Sequence, residues 1–331
     1  MARVTAPPPV VLVGFGRIAE VLYAPELVSR RDQVTVVEPS AARRDAALAA
    51  IPGVRLLDEL SGLPRAATET VALNLVPGPR HAEVTERLLD LGHHVFSEKP
   101  AARSAETWHR LVARAEENGC VLTAAPVSGH LADVEDLIGR VRSGEIGTPT
   151  EVHGTFIGAG PARRGYIDAD RAWFFGPESC VIRDLAPYVV APMVRLLGGP
   201  DAFTWYRNGV REPVPVRPSG AVTPAYGSAA TGIGRWRDVL GRIEVAYRPW
   251  ASGVDATLTV VGTTGAVSCD LDDPPGADGP GRAKATGAFD LVRRAMDDPD
   301  FRTAHVADVG TALTMIDAHR DAVVAAEGRT R

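Results

Sequence analysis

The stretch Val10-Val11-Leu12-Val13-Gly14-Phe15-Gly16-Arg17-Ile18-Ala19 decides how the first part of the chain folds. Four apolar residues in a row read as a short strand buried on both faces, as central strands of parallel sheets are. A GxGxxA string follows at once, and a helical pattern runs from about Arg17 to Arg30. Strand, glycine-rich turn and helix in that order are the fingerprint of a dinucleotide-binding Rossmann unit. Gly14 permits the tight turn, Gly16 leaves out a side chain where a pyrophosphate must approach, and Ala19 lets helix and strand pack closely. Phe15, Arg17 and Ile18 complete the turn, where unpaired N–H groups at the helix start receive the phosphate.

Working outward, short apolar runs alternate with helical patterns, which predicts a parallel sheet with crossover helices. Strands are expected at Val34–Val37, Val71–Val76, His94–Ser97 and Val121–Ala124, and helices at Ala41–Ala50 and His81–Leu91. A further helix should start after Ser104, a good N-cap. Glu38 ends the second strand, where a carboxylate would accept hydrogen bonds from the adenosine ribose. A carboxylate there repels a 2′-phosphate and favours NAD(H). Arg43 and Arg44 follow closely and keep NADP(H) open.

After Pro126 the texture changes. A helix at about Leu131–Ser143 gives way to β-rich segments at Glu151–Ile157, Phe203–Val210, Ala229–Trp236, Arg242–Tyr247, Ala256–Val261 and Ala266–Asp270. Too few helices separate them for a second Rossmann unit, so an antiparallel or mixed open sheet is expected. Asp272–Arg282, rich in Pro, Gly and Asp, reads as a loop. Helical patterns at Phe289–Met296 and Val306–Ala326 follow. The fold class is therefore α/β, with a Rossmann domain over residues 1–125 and a second α/β domain over 126–331 whose last helix is free to pack back on the first.

Length and composition bound the function. The chain has 331 residues, enough for two domains, and a formal net charge of −5. That small charge, with dispersed Lys and Arg, gives no field for gathering nucleic acid or an anionic membrane. Cys120, Cys180 and Cys269 stand far apart, which argues for a reducing compartment and against a disulfide framework or structural zinc. No apolar run approaches a membrane span, and Met1–Pro9 lacks the pattern of a secretory signal, so a cytoplasmic location is expected. The eight histidines form no HxxxH or HxH cluster, and no catalytic metal is expected.

The segment His93-His94-Val95-Phe96-Ser97-Glu98-Lys99-Pro100 resembles the "GkhVlcEKP" motif of the glucose–fructose oxidoreductase / inositol dehydrogenase / rhizopine catabolism (Gfo/Idh/MocA) family. Further pieces match in order. Val76-Pro77-Gly78-Pro79-Arg80-His81-Ala82-Glu83 resembles its "TPnxxHae", Ser143-Gly144-Glu145-Ile146-Gly147 its "sGeiG", and Val261-Gly262-Thr263-Thr264-Gly265 its "GtkGt". The resemblance runs over nearly the whole chain. It implies a second domain with an open, mainly antiparallel sheet through which homodimers or homotetramers form. It also implies that Pro77, His81, Glu98 and Lys99 belong to the cofactor site, with Lys99 beside both the nicotinamide and the substrate oxygen. An ammonium there stabilises a forming alkoxide, and a desolvated lysine can shuttle a proton.

The family's D-x-G-x-H motif corresponds to Asp184-Leu185-Ala186-Pro187-Tyr188, so the resemblance makes Asp184 and Tyr188 catalytic, with tyrosine in place of histidine. Asp and Tyr at i and i+4 share one helix face, and a tyrosine can act as general acid. The family's glycine triplet is Glu178-Ser179-Cys180 here, which would reshape the pocket mouth. Arg183 is a candidate for an anionic substrate or for a surface salt bridge. Ser128 and His130 fall where family members contact substrate, though His130 also fits a solvated loop. The reading is NAD(P)-dependent hydride transfer to or from a secondary alcohol or ketone of a sugar-like, cyclitol or natural-product small molecule. The alternatives are an imine reductase and a dinucleotide-binding sensor or scaffold without turnover.

Overall fold

The computed structural model describes residues 8–67, 69–163, 173–176, 179–209, 211, 214–216, 220–250, 252–272 and 282–324. The chain divides into two compact units. One is Met1–Val127 with Asp273–Gly310, the other Ser128–Asp272 with Thr311–Arg331. Asp273–Gly310 thus groups with the first 127 residues, and the division falls within the last long helix.

Six parallel strands build the first unit: β1 (Val10–Val13), β2 (Val34–Val37), β3 (Arg55–Leu57), β4 (Val71–Asn74), β5 (His94–Ser97) and β6 (Leu122–Ala124). Their spatial order is β3-β2-β1-β4-β5-β6, the Rossmann order. All four residues of β1 and of β4 are buried, as their apolar runs require. The strand order reverses between these two, and Gly14 and Val76 lie at their carboxyl ends, where open α/β sheets bind ligands. The short β3 was not foreseen, because Arg55-Leu56-Leu57 carries no alternation.

The helical path after β1 departs from the expected single α-helix. It begins at Arg17, widens into a π-helical turn at Ala19–Tyr23, passes through one α-turn, α1 (Ala24–Leu27), and continues as 3₁₀ helix over Val28–Gln33 with a kink at Arg30. Pro25 supplies the reason. It has no N–H for the carbonyl of Val21, and its ring would press on that carbonyl in a regular helix. The remaining helices of this half are regular: α2 (Ala41–Ala50), α3 (His81–Asp90) and α4 (Ala105–Glu117). Ser104 caps α4 as expected, accepting from the Thr107 N–H at 3.2 Å.

In the second unit α5 (Ala132–Arg142) leads into β7 (Pro149–Gly158), and the short α6 (Gly160–Arg163) and the long α7 (Val181–Leu197) follow. Then come β8 (Ala202–Arg207), a small hairpin of β9 (Val214–Val216) and β10 (Gly220–Val222), β11 (Ala229–Trp236), β12 (Val239–Tyr247), β13 (Asp255–Gly262) and β14 (Ala266–Asp270). Residues 282–297 form α8 and 299–317 form α9, with a two-residue strand β15 (Val323–Val324) near the end. The helix expected to reach Ala326 thus stops at Asp317, and 325–326 lie outside the described residues, as do 1–7 of the expected leader and 273–281 of the expected loop.

The larger sheet of this unit runs β14-β13-β7-β12-β11-β8-β15. It is mixed, because β7 pairs parallel with β12 and β15 parallel with β8, while the other pairs are antiparallel. Helix α7 covers its inner face. Most of its residues are buried, so the apolar sequence goes all round rather than along one stripe. Gly154 on β7 lets it come close, since a Cβ there would overlap Val189. Among the described residues no helix is long and apolar enough to cross a membrane.

Candidate active site

Backbone and small residues make the turn after β1. Gly14 has φ +89°, and a Cβ on it would sit 3.0 Å from the Val76 nitrogen, so only glycine fits between the ends of β1 and β4. Nothing lies within 4 Å of where a Gly16 Cβ would be. This open space at the start of the helical path is what a pyrophosphate needs, and the residues present fit a dinucleotide. Arg17 is exposed and Ile18 half-buried beside it. Phe15 differs from expectation. Its ring is in the core, and its N–H is not left unpaired but donates to Glu38 Oε2 at 2.8 Å.

Glu38 stands at the end of β2 and is 9% exposed. Its other carboxylate oxygen accepts from the Ser40 N–H at 2.9 Å. Both oxygens thus rest on backbone donors, which holds the carboxylate beside the turn. Arg44 lies next to it, donating to the carbonyls of Glu38 and Pro39 at 2.9 and 2.7 Å, while Arg43 pairs with Glu20 at 3.7 Å.

The loop after β5 carries Glu98, Lys99 and Pro100. Glu98 Oε1 accepts from the Tyr23 hydroxyl at 3.1 Å, and Oε2 from the Lys99 backbone N–H at 3.1 Å. His81, buried at the start of α3, places Nδ1 2.8 Å from the Pro100 carbonyl and Nε2 2.8 Å from the Val76 carbonyl. Burial holds its pKa below the ordinary histidine value against the pull of these two carbonyls. The ring therefore joins the loop after β4 to the loop after β5, a framing role beside the cofactor role that the resemblance implied. Pro77 is exposed on the first of these loops.

In the second unit Cys180 caps α7, its Sγ accepting from the Arg183 N–H at 3.5 Å. The departure from a glycine triplet at this position thus serves the helix start; Glu178 lies outside the described residues. Asp184, in the first turn of α7 and 4% exposed, accepts from the Tyr247 hydroxyl at 2.8 Å. Sequence reasoning had paired Asp184 with Tyr188 and did not find Tyr247. No local spacing links β12 to α7, and only the sheet brings Tyr247 under the helix.

Tyr188 is half-buried and stacks on Phe156 of β7, ring centroids 4.7 Å apart. Pro192 has no N–H to give the carbonyl four residues back, that of Tyr188. The hydroxyl of Ser128 fills this place at 3.2 Å. Arg183 is not on the surface. It is 6% exposed and donates to Asp317 at 2.6 Å, a buried ion pair rather than the expected surface one. His130 is likewise not a solvated loop residue. Its side chain is 14% exposed and lies 3.7 Å from Glu135, and Arg195 reaches the same carboxylate at 3.0 Å. His130 and Arg195 together hold the Glu135 carboxyl down at about 2. Among the described residues no group of three or more His, Cys, Asp or Glu could hold a metal ion.

Residues 9–125 match the sequence profile of an oxidoreductase family with an NAD-binding Rossmann fold, Gfo/Idh/MocA. The match covers the nucleotide-binding domain and ends at its last strand. The first domain is thus similar to the NAD-binding Rossmann domains of an oxidoreductase family. Solved structures extend the likeness of fold to nearly the whole chain. GenD2 from gentamicin A biosynthesis, in complex with NAD, is 18% identical, with a TM-score of 0.75 over 97% of this chain and 96% of that one. The 3-ketoreductase KijD10 from Actinomadura kijaniata, with TDP-benzene and NADP, is 15% identical, with a TM-score of 0.73 over 96% and 99%. Levoglucosan dehydrogenase, with NADH and levoglucosan, is 16% identical, with a TM-score of 0.75 over 95% and 98%. No curated protein matches the chain.

Proposed function

We propose that the chain transfers hydride between a nicotinamide dinucleotide and a secondary alcohol or ketone on a sugar-like, cyclitol or natural-product substrate. The observation that supports this most is the Glu98-Lys99-Pro100 loop, held by Tyr23 and His81 in a Rossmann domain of an oxidoreductase family. That a 3-ketoreductase and a levoglucosan dehydrogenase share the fold supports the substrate class.

When bound, the dinucleotide supplies or accepts the hydride. The turn from Gly14 to Ile18, with Glu38, Pro77 and Glu98, would hold it. Glu38, whose carboxylate would meet a 2′-phosphate, favours NAD(H); Arg44 beside it is what NADP(H) would use. Lys99 stabilises negative charge on the substrate oxygen. Tyr188 gives or takes the proton of that oxygen. Asp184 orients substrate and tyrosine, and Tyr247 fixes the Asp184 carboxylate.

The test is turnover of either cofactor with sugars, nucleotide sugars, cyclic ketones and cyclic imines, in wild type and in Lys99→Ala. The variant should lose ~10²-fold or more in turnover with cofactor affinity little changed. Equal turnover in the variant would remove Lys99 from the chemistry. Turnover of imines alone would shift the reading to imine reduction, and binding without turnover to a sensor.

The location proposed is the cytoplasm. A homodimer or homotetramer is proposed through the outer face of the larger sheet, where Tyr206, Ile233 and Leu240 are 45%, 51% and 61% exposed. The strand register puts all three on that one face. A monomer in sedimentation at micromolar concentration would remove this part.

A further inference from the structure

The π-helical turn that breaks the first helix ends on Tyr23, and that residue is not a packing residue alone. The turn closes through the Ala24 N–H to the Ala19 carbonyl. One extra residue in a turn rotates everything beyond it by about 100° about the helix axis, so the turn sets where Tyr23 points. Such turns are frequent at functional sites. Tyr23 is 1% exposed, and a buried phenol needs a partner for its hydroxyl. Its partner is the Glu98 carboxylate, a charge-assisted bond, and the same carboxylate holds the backbone N–H of Lys99.

We propose that Tyr23 is a positioning residue for Lys99. Its hydroxyl fixes one oxygen of Glu98 so that the other fixes the Lys99 backbone, while His81 holds Pro100 on the far side of the same residue. Three groups from two helices and one loop thus bear on a single lysine. The Lys99 side chain leaves a backbone held at its own N–H and at the next carbonyl, and its ammonium returns to one place between turnovers. A phenylalanine would fill the same space and leave Glu98 with one bond fewer. The role rests on Lys99 being catalytic, as proposed above, but the placement of Lys99 can be read without any substrate.

The chain has two lysines, Lys99 and Lys284, so a Lys284→Arg background leaves Lys99 as the one lysine side chain for a chemical label. Reductive methylation with ¹³C-formaldehyde then gives one lysine resonance beside that of the α-amine. In that background Tyr23→Phe should displace or broaden the Lys99 resonance while the protein stays folded by circular dichroism. With a working substrate, Tyr23→Phe in the unlabelled protein should lower kcat ~10-fold and leave KM for the dinucleotide within ~2-fold, the signature of a lost transition-state interaction. An unchanged resonance together with an unchanged kcat in folded Tyr23→Phe overturns the proposal. Should KM rise with kcat unchanged, Tyr23 serves the cofactor and the proposal fails as well. If the wild type turns over nothing, the oxidoreductase reading fails by itself, and the resonance alone decides whether Tyr23 places Lys99.

Discussion

The glycine-rich turn after β1 and the helix α7 are built by opposite means. The turn works by leaving side chains out. Gly14 admits the backbone of β4, Gly16 opens onto empty space, and the one carboxylate present, Glu38, is fixed by two backbone N–H groups. Helix α7 works by burying side chains and, at Pro192, by meeting a missing backbone bond with a group from elsewhere. Cys180 caps its start, Ser128 satisfies the carbonyl that Pro192 leaves open, and Tyr247 reaches from β12 to Asp184. A site made of absences tolerates no additions, whereas one made of side chains loses function by degrees.

The strongest way to break that contrast is Gly16→Val. The position faces open space, so stability should change little while the side chain takes the place of the pyrophosphate. In calorimetry the wild type should bind NAD(H) more tightly than NADP(H), and the variant should bind neither. Unchanged affinity in folded Gly16→Val would mean that the turn is only a turn, and a tenfold preference of the wild type for NADPH would overturn the role given to Glu38. A graded effect is expected at α7. Tyr247→Phe removes one hydrogen bond to Asp184 and should lower turnover ~10-fold with cofactor affinity unchanged. If Tyr188 is the proton donor, Tyr188→Phe falls further than Tyr247→Phe. The reverse order would move the proton to Tyr247.

The same contrast explains what could be read in advance. A turn made by glycines is a local object. Strand, GxGxxA and helix follow one another within ten residues, so β1 was legible at once, and β2 and β5 followed from their apolar runs. Lys99 became a candidate only through the Glu98-Lys99-Pro100 resemblance. What escaped are contacts between distant segments. Tyr23 to Glu98 and Tyr247 to Asp184 join parts of the chain that no periodicity relates, and the π-helical turn shows only as a proline in a helical pattern. Arg183 and His130 were misjudged for a related reason. Their burial depends on Asp317 and Glu135, and a charged residue read alone defaults to the surface. The 3₁₀ turn and strand after α9 failed for want of any breaker near Asp317.

Ser128 carries the smallest expected effect and separates the two kinds of construction most cleanly. Its position suggested a substrate contact, while its hydroxyl is buried and bonded to the Tyr188 carbonyl. Pro192 cannot donate to that carbonyl, so Ser128→Ala leaves a buried acceptor without its partner. The cost should be about 1–2 kcal/mol of unfolding free energy in a urea titration. Because the bond is to the backbone at Tyr188, its loss relaxes the turn of α7 that carries the tyrosine. Turnover per folded molecule should therefore fall only a few-fold, with KM for the substrate unchanged. A Ser128→Ala variant of wild-type stability but raised substrate KM would return Ser128 to the substrate. A Pro192→Ala variant sharpens the result, because it restores an N–H four residues beyond Tyr188 and should make the loss of the Ser128 hydroxyl cheaper. If the two substitutions simply add, Ser128 does not stand in for the missing helical bond, and the account of α7 as a helix mended from outside fails at its best-defined point.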